Sequence, residues 1–233
     1  MNSPKTSLIL CGGKGTRLRP LTYEIPKVLI PINGKPILEY NIKLMKKHGI
    51  KDIVLATGYL GKMIKEYFGN GSKFGVNIKY SEEETPLGTG GALKLAKDSL
   101  KETFIMCNGD ELKDIDLKEM FKAHKETNTL ITIALTEVDD PSSFGTAKLE
   151  GNKILEFVEK PKKEEAPSNL INAGLYIIEP SVIDLIPEGE VSIERHIFPL
   201  VAEKGRLFGF PFKGQWFPTD NTERLEKARK EWK

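Results

Sequence analysis

The chain is short of cysteine, of long apolar runs and of any excess of charge of one sign. Two cysteines among 233 residues, Cys11 and Cys107, cannot build a disulfide framework. Both end apolar runs, the usual setting of reduced and buried thiols, which points to a cytoplasmic protein. No apolar run approaches the roughly 20 residues needed to cross a bilayer. The stretch Ser7–Leu10 is apolar, but Gly12 and Gly13 end it at once, which excludes a signal peptide. Lys and Arg total 35 against 33 Asp and Glu, a formal net charge of +2. That balance is too even for nucleic acid or a membrane to be the main partner, so anion binding must come from a local gathering of donors. Internal repeats are absent as well.

What is present is an ordinary globular composition, 39% hydrophobic and 29% charged. Apolar runs alternate with amphipathic ones through the first half. Strands are expected at Ser7–Leu10, Ile53–Ala56, Val76–Tyr80, Phe104–Cys107 and Leu130–Thr136. Helices are expected at Ile37–His48, Lys62–Phe68, Gly91–Asp98 and Leu117–Glu126. This alternation implies a mostly parallel sheet covered on both faces. In the second half, Thr146–Glu150 and Ile154–Lys160 flank Gly151-Asn152, a hairpin turn. A strand at Asn172–Ile178, a helix at Ile193–Glu203, a strand at Leu207–Phe212 and a closing helix at Thr222–Trp232 follow. The only linker-like stretch is Pro161–Ser168. The reading is one α/β domain, 1–233, with a nucleotide-facing half to about residue 135 and a mixed-sheet half after it.

Cys11-Gly12-Gly13-Lys14-Gly15-Thr16-Arg17-Leu18-Arg19-Pro20 follows the first strand. Its three glycines let the backbone approach a ligand and turn N–H groups towards it. In an open α/β sheet this is the strand end where ligands sit. A dinucleotide fingerprint would need a glycine where Leu18 stands, and a P-loop would need Gly-Lys-Ser/Thr after four intervening residues, so both are excluded. Arg17, Arg19 and Lys27 add the cations that suit a polyphosphate, whereas Lys14 and Lys35 read as surface lysines. Asn108-Gly109-Asp110 ends another strand at a carboxyl edge. Alone it is a turn signal, although a carboxylate there can hold Mg²⁺.

The run Gly12–Ile37 resembles the signature of the sugar-1-phosphate nucleotidyltransferases, the family that makes NDP-sugars. The likeness continues through Thr85–Leu93, Asn108–Asp110, Phe144–Glu150, Glu159–Pro161, Asn172–Ile178, Ser192–Pro199 and the region of Trp216, in the family's order. The resemblance implies a Rossmann-like three-layer α/β/α fold with a mixed, mostly parallel central sheet. It implies a Mg²⁺-dependent reaction of a nucleoside triphosphate with a sugar 1-phosphate that releases pyrophosphate. It implies Arg17, Lys27 and Asp110 as catalytic residues, and Leu10, Cys11, Gly12, Gly13, Gly15, Thr16, Arg17, Glu83, Pro86, Gly88 and Thr89 as nucleotide-binding ones. Gly145, Glu159, Lys160 and Asn172 would take the sugar phosphate, although a Glu-Lys pair at a strand end is, on its own, more often a solvated pair. Asp110 is the implied metal aspartate. For its partner the usual Trp-x-Asp pattern fails, because Pro218 stands at that place. Asp220, matching a Trp-x-x-x-Asp pattern of the cytidylyltransferase branch, is the inferred second carboxylate. The competing reading makes Asp220 the cap of the closing helix.

Among the branches, the motifs look most like mannose-1-phosphate guanylyltransferases. Glu82, Glu83 and Glu84 offer carboxylates to the two adjacent donors of guanine. The alternative readings are glucose-1-phosphate uridylyl-, thymidylyl- or cytidylyltransferases, heptose-1-phosphate guanylyltransferases, or a silent regulatory paralogue that senses NDP-sugar. A homo-oligomer is expected by family analogy alone.

Overall fold

The structure, a computed structural model, describes residues 4–233, so the first three residues of the expected domain lie outside it. The elements run in the order β1 (Thr6–Leu10), β2 (Pro31–Ile32), β3 (Lys35–Pro36), α1 (Ile37–Lys47), β4 (Asp52–Thr57), α2 (Gly61–Phe68), β5 (Asn77–Glu82) and α3 (Gly88–Leu95). Next come β6 (Phe104–Asn108), β7 (Glu111–Lys113), α4 (Leu117–Glu126), β8 (Ile131–Glu137), β9 (Gly145–Glu150), β10 (Lys153–Glu159) and β11 (Leu170–Ile178). The chain closes with α5 (Phe198–Glu203), β12 (Leu207–Pro211), β13 (Trp216–Pro218) and α6 (Thr222–Glu231). No helix among the described residues is long and apolar enough to cross a membrane.

Nine strands make one sheet in the order β5-β4-β1-β6-β11-β8-β12-β10-β9. β5, β4, β1 and β6 are mutually parallel, as is the pair β8 and β12. β11 and β10 run against the other strands. The start of β11 also pairs with β9, so β11, β8, β12, β10 and β9 form a closed circuit of pairings. The sheet therefore continues unbroken past residue 135.

Strand periodicity sorts the core into two layers. Leu8 of β1 and Tyr176 of β11 face one layer, with Leu93 of α3 and Phe198 of α5. Their neighbours Ile9 and Ile177 face the other, with Ile42 of α1, Phe68 of α2 and Met120 of α4. Both faces are covered, the three-layer arrangement expected. The two cysteines are free and buried within it. After β1 the chain steps outward to β4 and β5, then returns to place β6 on the other side of β1. That reversal opens a crevice at the carboxyl ends of β1 and β6, where open α/β sheets bind ligands.

The expected elements differ from the observed ones in three instructive places. The helix read at Gly91–Asp98 opens at Gly88 and ends at Leu95. Glycines carry no apolar signal, and the first turn is held from outside: the N–H of Gly90 donates to the Val191 carbonyl at 2.7 Å. The single helix read at Ile193–Glu203 is a π-type turn, Ile193–Ile197, followed by α5. Pro199, which has no N–H to donate, sits in the first turn of α5 and breaks the continuous ladder. Finally, β2 and β3 form a hairpin over Asn33-Gly34, whose φ values of 48° and 79° suit a tight two-residue turn. The short strands hid it from periodicity.

At the edge of α4, His124 is 2% exposed, with Nδ1 2.9 Å from Thr132 Oγ1 and Nε2 3.1 Å from Glu179. Burial lowers its pKa below 6.5, against the opposing pull of Glu179. The unfolded chain therefore takes up a proton first on acidification, so this contribution to stability is full above pH 6.5 and lost as pH falls through the folded value. Melting temperatures measured between pH 7.5 and 5.5 should fall less steeply for His124→Gln than for the wild type. Parallel slopes would contradict this. Some slope will persist in the variant, because burial lowers His48 in the same direction.

Candidate active site

Asp110 is fixed by the backbone around it. The Gly109 N–H donates to the Leu10 carbonyl at 3.0 Å, joining the ends of β1 and β6. A Cβ at Gly109 would stand 2.7 Å from that oxygen, so only glycine allows the approach. Buried Asn41 of α1 donates to the carbonyls of Gly109 and Glu111 at 3.2 and 3.0 Å. The Thr219 hydroxyl donates to the Asp110 carbonyl at 2.7 Å. The aspartate is thus held by β1, α1 and the segment after β13, with its side chain turned into a cleft.

There Lys27 Nζ donates to Asp110 Oδ2 at 2.6 Å, from a side chain only 8% exposed. Burial alone would raise the Asp110 carboxyl, but the charge and hydrogen bond of Lys27, helped by Lys113, hold it below the usual range. Asp220 pairs with Arg17 and takes the Arg224 guanidinium on both oxygens, at 2.9 and 3.1 Å. Its burial is likewise outweighed, first by Arg224 and then by Arg17 and Lys27, so it too titrates low. Asp220 does not cap the closing helix. Asn221 does so, its side chain accepting the N–H of Arg224 at 2.9 Å.

Three connected cavities run along the strand ends. The first, about 660 Å³, lies between Leu10, Gly12 and Gly13 on one side and Glu83, Pro86, Gly88 and Thr89 on the other. The second, about 340 Å³, lies over the glycine loop and is lined by Cys11, Gly15, Thr16, Arg17, Lys27, Asp110 and Asp220. The third, about 640 Å³, shares those two cations and two aspartates, and adds Gly145, Glu159, Lys160 and Asn172. Thr89 lines all three. The residues implied as catalytic, nucleotide-binding, sugar-phosphate-binding and metal-holding therefore all line one cleft, whereas Arg19 and Glu82 do not.

Several reach it in ways the sequence did not reveal. Cys11 offers the cleft little beyond its backbone, for its thiol is buried and its pKa is pushed up by that burial. Glu83 braces loops as well as facing the first cavity. One carboxylate oxygen accepts the Leu87 N–H at 3.1 Å, and the other lies so close to Gly12 and Gly58 that a Cβ on either would collide with it. Glu82 turns away to Lys65, and exposed Glu84 lines the cavity. Asn172 is already committed to the Tyr176 hydroxyl and the Gly174 N–H, each at 2.9 Å. Lys160 holds a left-handed φ of 52°, fixed by its N–H donating to the Phe144 carbonyl at 3.0 Å. A Cβ at Gly145 would meet Phe157 at 2.4 Å and Glu159 at 2.7 Å, which explains the glycine where β9 passes the carboxylate. Arg19, grouped with the phosphate cations in the sequence, instead stacks over Tyr23 at 4.8 Å and lines none of the three cavities. Lys14, read as a surface lysine, lies on the wall of the first cavity.

The sequence also missed partners. Arg224 was part of a polar closing helix, and nothing but its i,i+4 spacing from Asp220 announced the pairing. Glu111 lines the third cavity with both oxygens occupied, by Asn108 and by the Trp216 indole N–H, each at 3.0 Å. Burial and the neighbouring charge of Glu194 push the Glu159 carboxyl above its ordinary value.

The two aspartates suit a hard divalent cation. They are oxygen donors held ionised by nearby cations, and they open into the same cavities. Among the described residues no group of three or more His, Cys, Asp or Glu could hold a metal. Such a sparse donor set fits an ion that takes its remaining ligands from phosphates and water.

Comparison with known proteins agrees with this geometry. The Nucleotidyl transferase family profile matches residues 6–232. The catalytic subunit beta of mannose-1-phosphate guanylyltransferase from Xenopus tropicalis is 41% identical over 216 residues, covering 90% of this chain and 59% of that one. The mannose-1-phosphate guanyltransferase of Saccharomyces cerevisiae is 43% identical over the same shares. The chain thus spans about three-fifths of the length of these curated relatives. The solved structure of HddC from Yersinia pseudotuberculosis superposes with a TM-score of 0.84 at 28% identity, covering 98% of this chain and 100% of that one. Strand order, cleft and sequence agree: the chain belongs to the nucleotidyl transferase family.

Proposed function

We propose that the cleft joins GTP to mannose 1-phosphate, giving GDP-mannose and pyrophosphate. The observation that carries this reading is the pairing of Lys27 with Asp110 and of Arg17 with Asp220 on the walls of one cavity of about 340 Å³. The names and identities of the mannose-1-phosphate guanylyltransferases among its relatives support the choice of nucleotide and sugar.

The acceptor phosphate is an anion near neutral pH, so no general base is required and catalysis reduces to alignment and charge neutralisation. One of its oxygens attacks the α-phosphorus of GTP, and the bond to the β-phosphate oxygen breaks, releasing pyrophosphate. Arg17, 61% exposed on its loop, is free to swing from Asp220 to the departing β- and γ-phosphates. Lys27 is buried and held by Asp110, suited to hold the α-phosphate or the acceptor. Asp110 and Asp220 would hold Mg²⁺, which when bound supplies positive charge to the phosphates. Lys160 would take the sugar's phosphate, and Glu159 with the Gly145 backbone its hydroxyls. Glu83 and Glu84 would face the two donors of guanine from the wall of the first cavity.

Arg17→Ala and Asp110→Ala should each lower kcat by roughly 100-fold or more, the scale of about 3–4 kcal/mol for a lost transition-state partner. Circular dichroism should show Arg17→Ala folded as the wild type, and Asp110→Ala, which leaves the buried Lys27 ammonium unmatched, folded but melting at a lower temperature. Near-normal turnover by either folded variant would overturn its role.

A grid of five nucleoside triphosphates against glucose, mannose, N-acetylglucosamine and heptose 1-phosphates, read by pyrophosphate release, tests the substrates. GTP with mannose 1-phosphate should give the highest kcat/KM, and Glu84→Gln should narrow the margin of GTP over UTP. Equal turnover with every triphosphate would remove the role of the glutamates in reading guanine.

A further inference from the structure

Glu194 lines the third cavity and is bonded to Thr89, which lines all three, and neither the loop motifs nor the metal pair accounts for it. It sits in the π-type turn Ile193–Ile197, a form of helix that is rare and concentrates at functional sites. Its Oε2 accepts two short hydrogen bonds, from the Thr89 hydroxyl at 2.6 Å and the Ser192 hydroxyl at 2.7 Å. Thr89 Oγ1 in turn accepts the Ile193 N–H at 2.9 Å, closing a small ring of bonds between α3 and the turn. Oε1 takes no hydrogen bond from the described residues, and Glu194 lines the third cavity together with Glu159. One oxygen is anchored, and its twin is left to accept.

The floor around it is built for the same task. The buried Tyr176 hydroxyl takes Asn172 Nδ2 at 2.9 Å, and its pKa is raised by burial and then by the charge of Glu194, with smaller contributions from Glu111 and Glu159. Of these three carboxylates, Glu111 has both oxygens occupied. The carboxylate acceptors left for a polyhydroxylated ligand are therefore Glu159, exposed Glu190 and the outer oxygen of Glu194, and of these Glu194 is the one whose other oxygen is held by two hydroxyls. A carboxylate whose orientation is already fixed loses little conformational entropy when it accepts a sugar hydroxyl.

Resting on the reading above, we propose that Glu194 is a specificity-determining residue of the sugar cavity, accepting a hexose hydroxyl on Oε1 while Thr89 and Ser192 hold Oε2. The cavity then selects neutral hexose 1-phosphates with a hydroxyl at that position and disfavours sugars that bring a carboxylate to it.

Glu194→Gln separates the two oxygens. The amide oxygen can keep the Thr89 and Ser192 bonds, while the amide nitrogen turns the outer position from acceptor to donor. Calorimetric titrations use wild type, Glu194→Gln and Glu194→Ala, with magnesium and a non-hydrolysable GTP analogue present. The probes are mannose 1-phosphate and its 2-, 3-, 4- and 6-deoxy forms. For the wild type, one deoxy sugar should bind about 10- to 100-fold more weakly, the scale of a lost hydrogen bond to a charged acceptor. In Glu194→Ala mannose 1-phosphate should weaken by a similar factor and the penalty for that same deoxy sugar should vanish, whereas in Glu194→Gln, whose amide nitrogen can donate to the hydroxyl oxygen, both losses should be smaller. If every deoxy penalty persists in both variants, Glu194 is structural and the inference falls, with the reaction assignment intact. If the wild type binds none of these sugar phosphates, the reaction assignment falls and the inference with it.

Discussion

The contact on which the cleft depends is the pairing of Lys27 with Asp110. It joins a buried ammonium to a carboxylate 83 residues away in sequence. A lysine with so little exposure is tolerated only when its charge is matched, because the cost of dehydrating it otherwise exceeds what packing returns. Lys27 follows Pro26 in a short helical turn whose Val28 and Leu29 enter the core, so the ammonium cannot retreat to solvent. Asp110 is equally constrained, by Gly109, Asn41 and Thr219. The glycine loop between β1 and Lys27 is thereby tied down at both ends and lies over the switch point of the sheet. The loop's glycines and Arg17 line the same cavity as the two aspartates.

This arrangement explains how a chain with a net charge of only +2 can present a strongly polar site. Charge is concentrated by position. Arg17, Lys27 and Arg224 surround Asp110 and Asp220, and each aspartate titrates low because cations outweigh the effect of burial. The sugar side is built the other way. Burial and the charge of Glu194 raise the cost of ionising Glu159, and Lys160 and Arg195 only partly offset it. One end of the cleft thus gathers paired cations and the other gathers carboxylates.

Much of this was legible in the sequence because loops at the ends of buried strands carry chemistry and punctuation together. Gly12, Gly13, Gly15, Arg17 and the Asn108–Asp110 turn are local signals, and they lead to the crevice between β1 and β6. Residues whose importance comes from partners distant in sequence were not legible. Arg224 sits on a helix with an ordinary polar pattern, Glu194 lies in a stretch whose periodicity suggested a plain helix, and Arg19 carries the right charge but stacks on Tyr23. Periodicity failed in the same way where glycine opens α3 and where Pro199 interrupts the turn before α5, since neither residue contributes to an apolar repeat. The helix-cap reading of Asp220 failed because Asn221, one residue further on, performs the capping.

The central claim is that the glycine loop and its cations face two carboxylates so as to cradle a metal-bound triphosphate. Calorimetric titration of the wild-type protein with GTP, with and without magnesium, tests it most directly. The account predicts saturable binding at one site that tightens markedly when magnesium is present. Binding of equal strength in both conditions, or none in either, would contradict it.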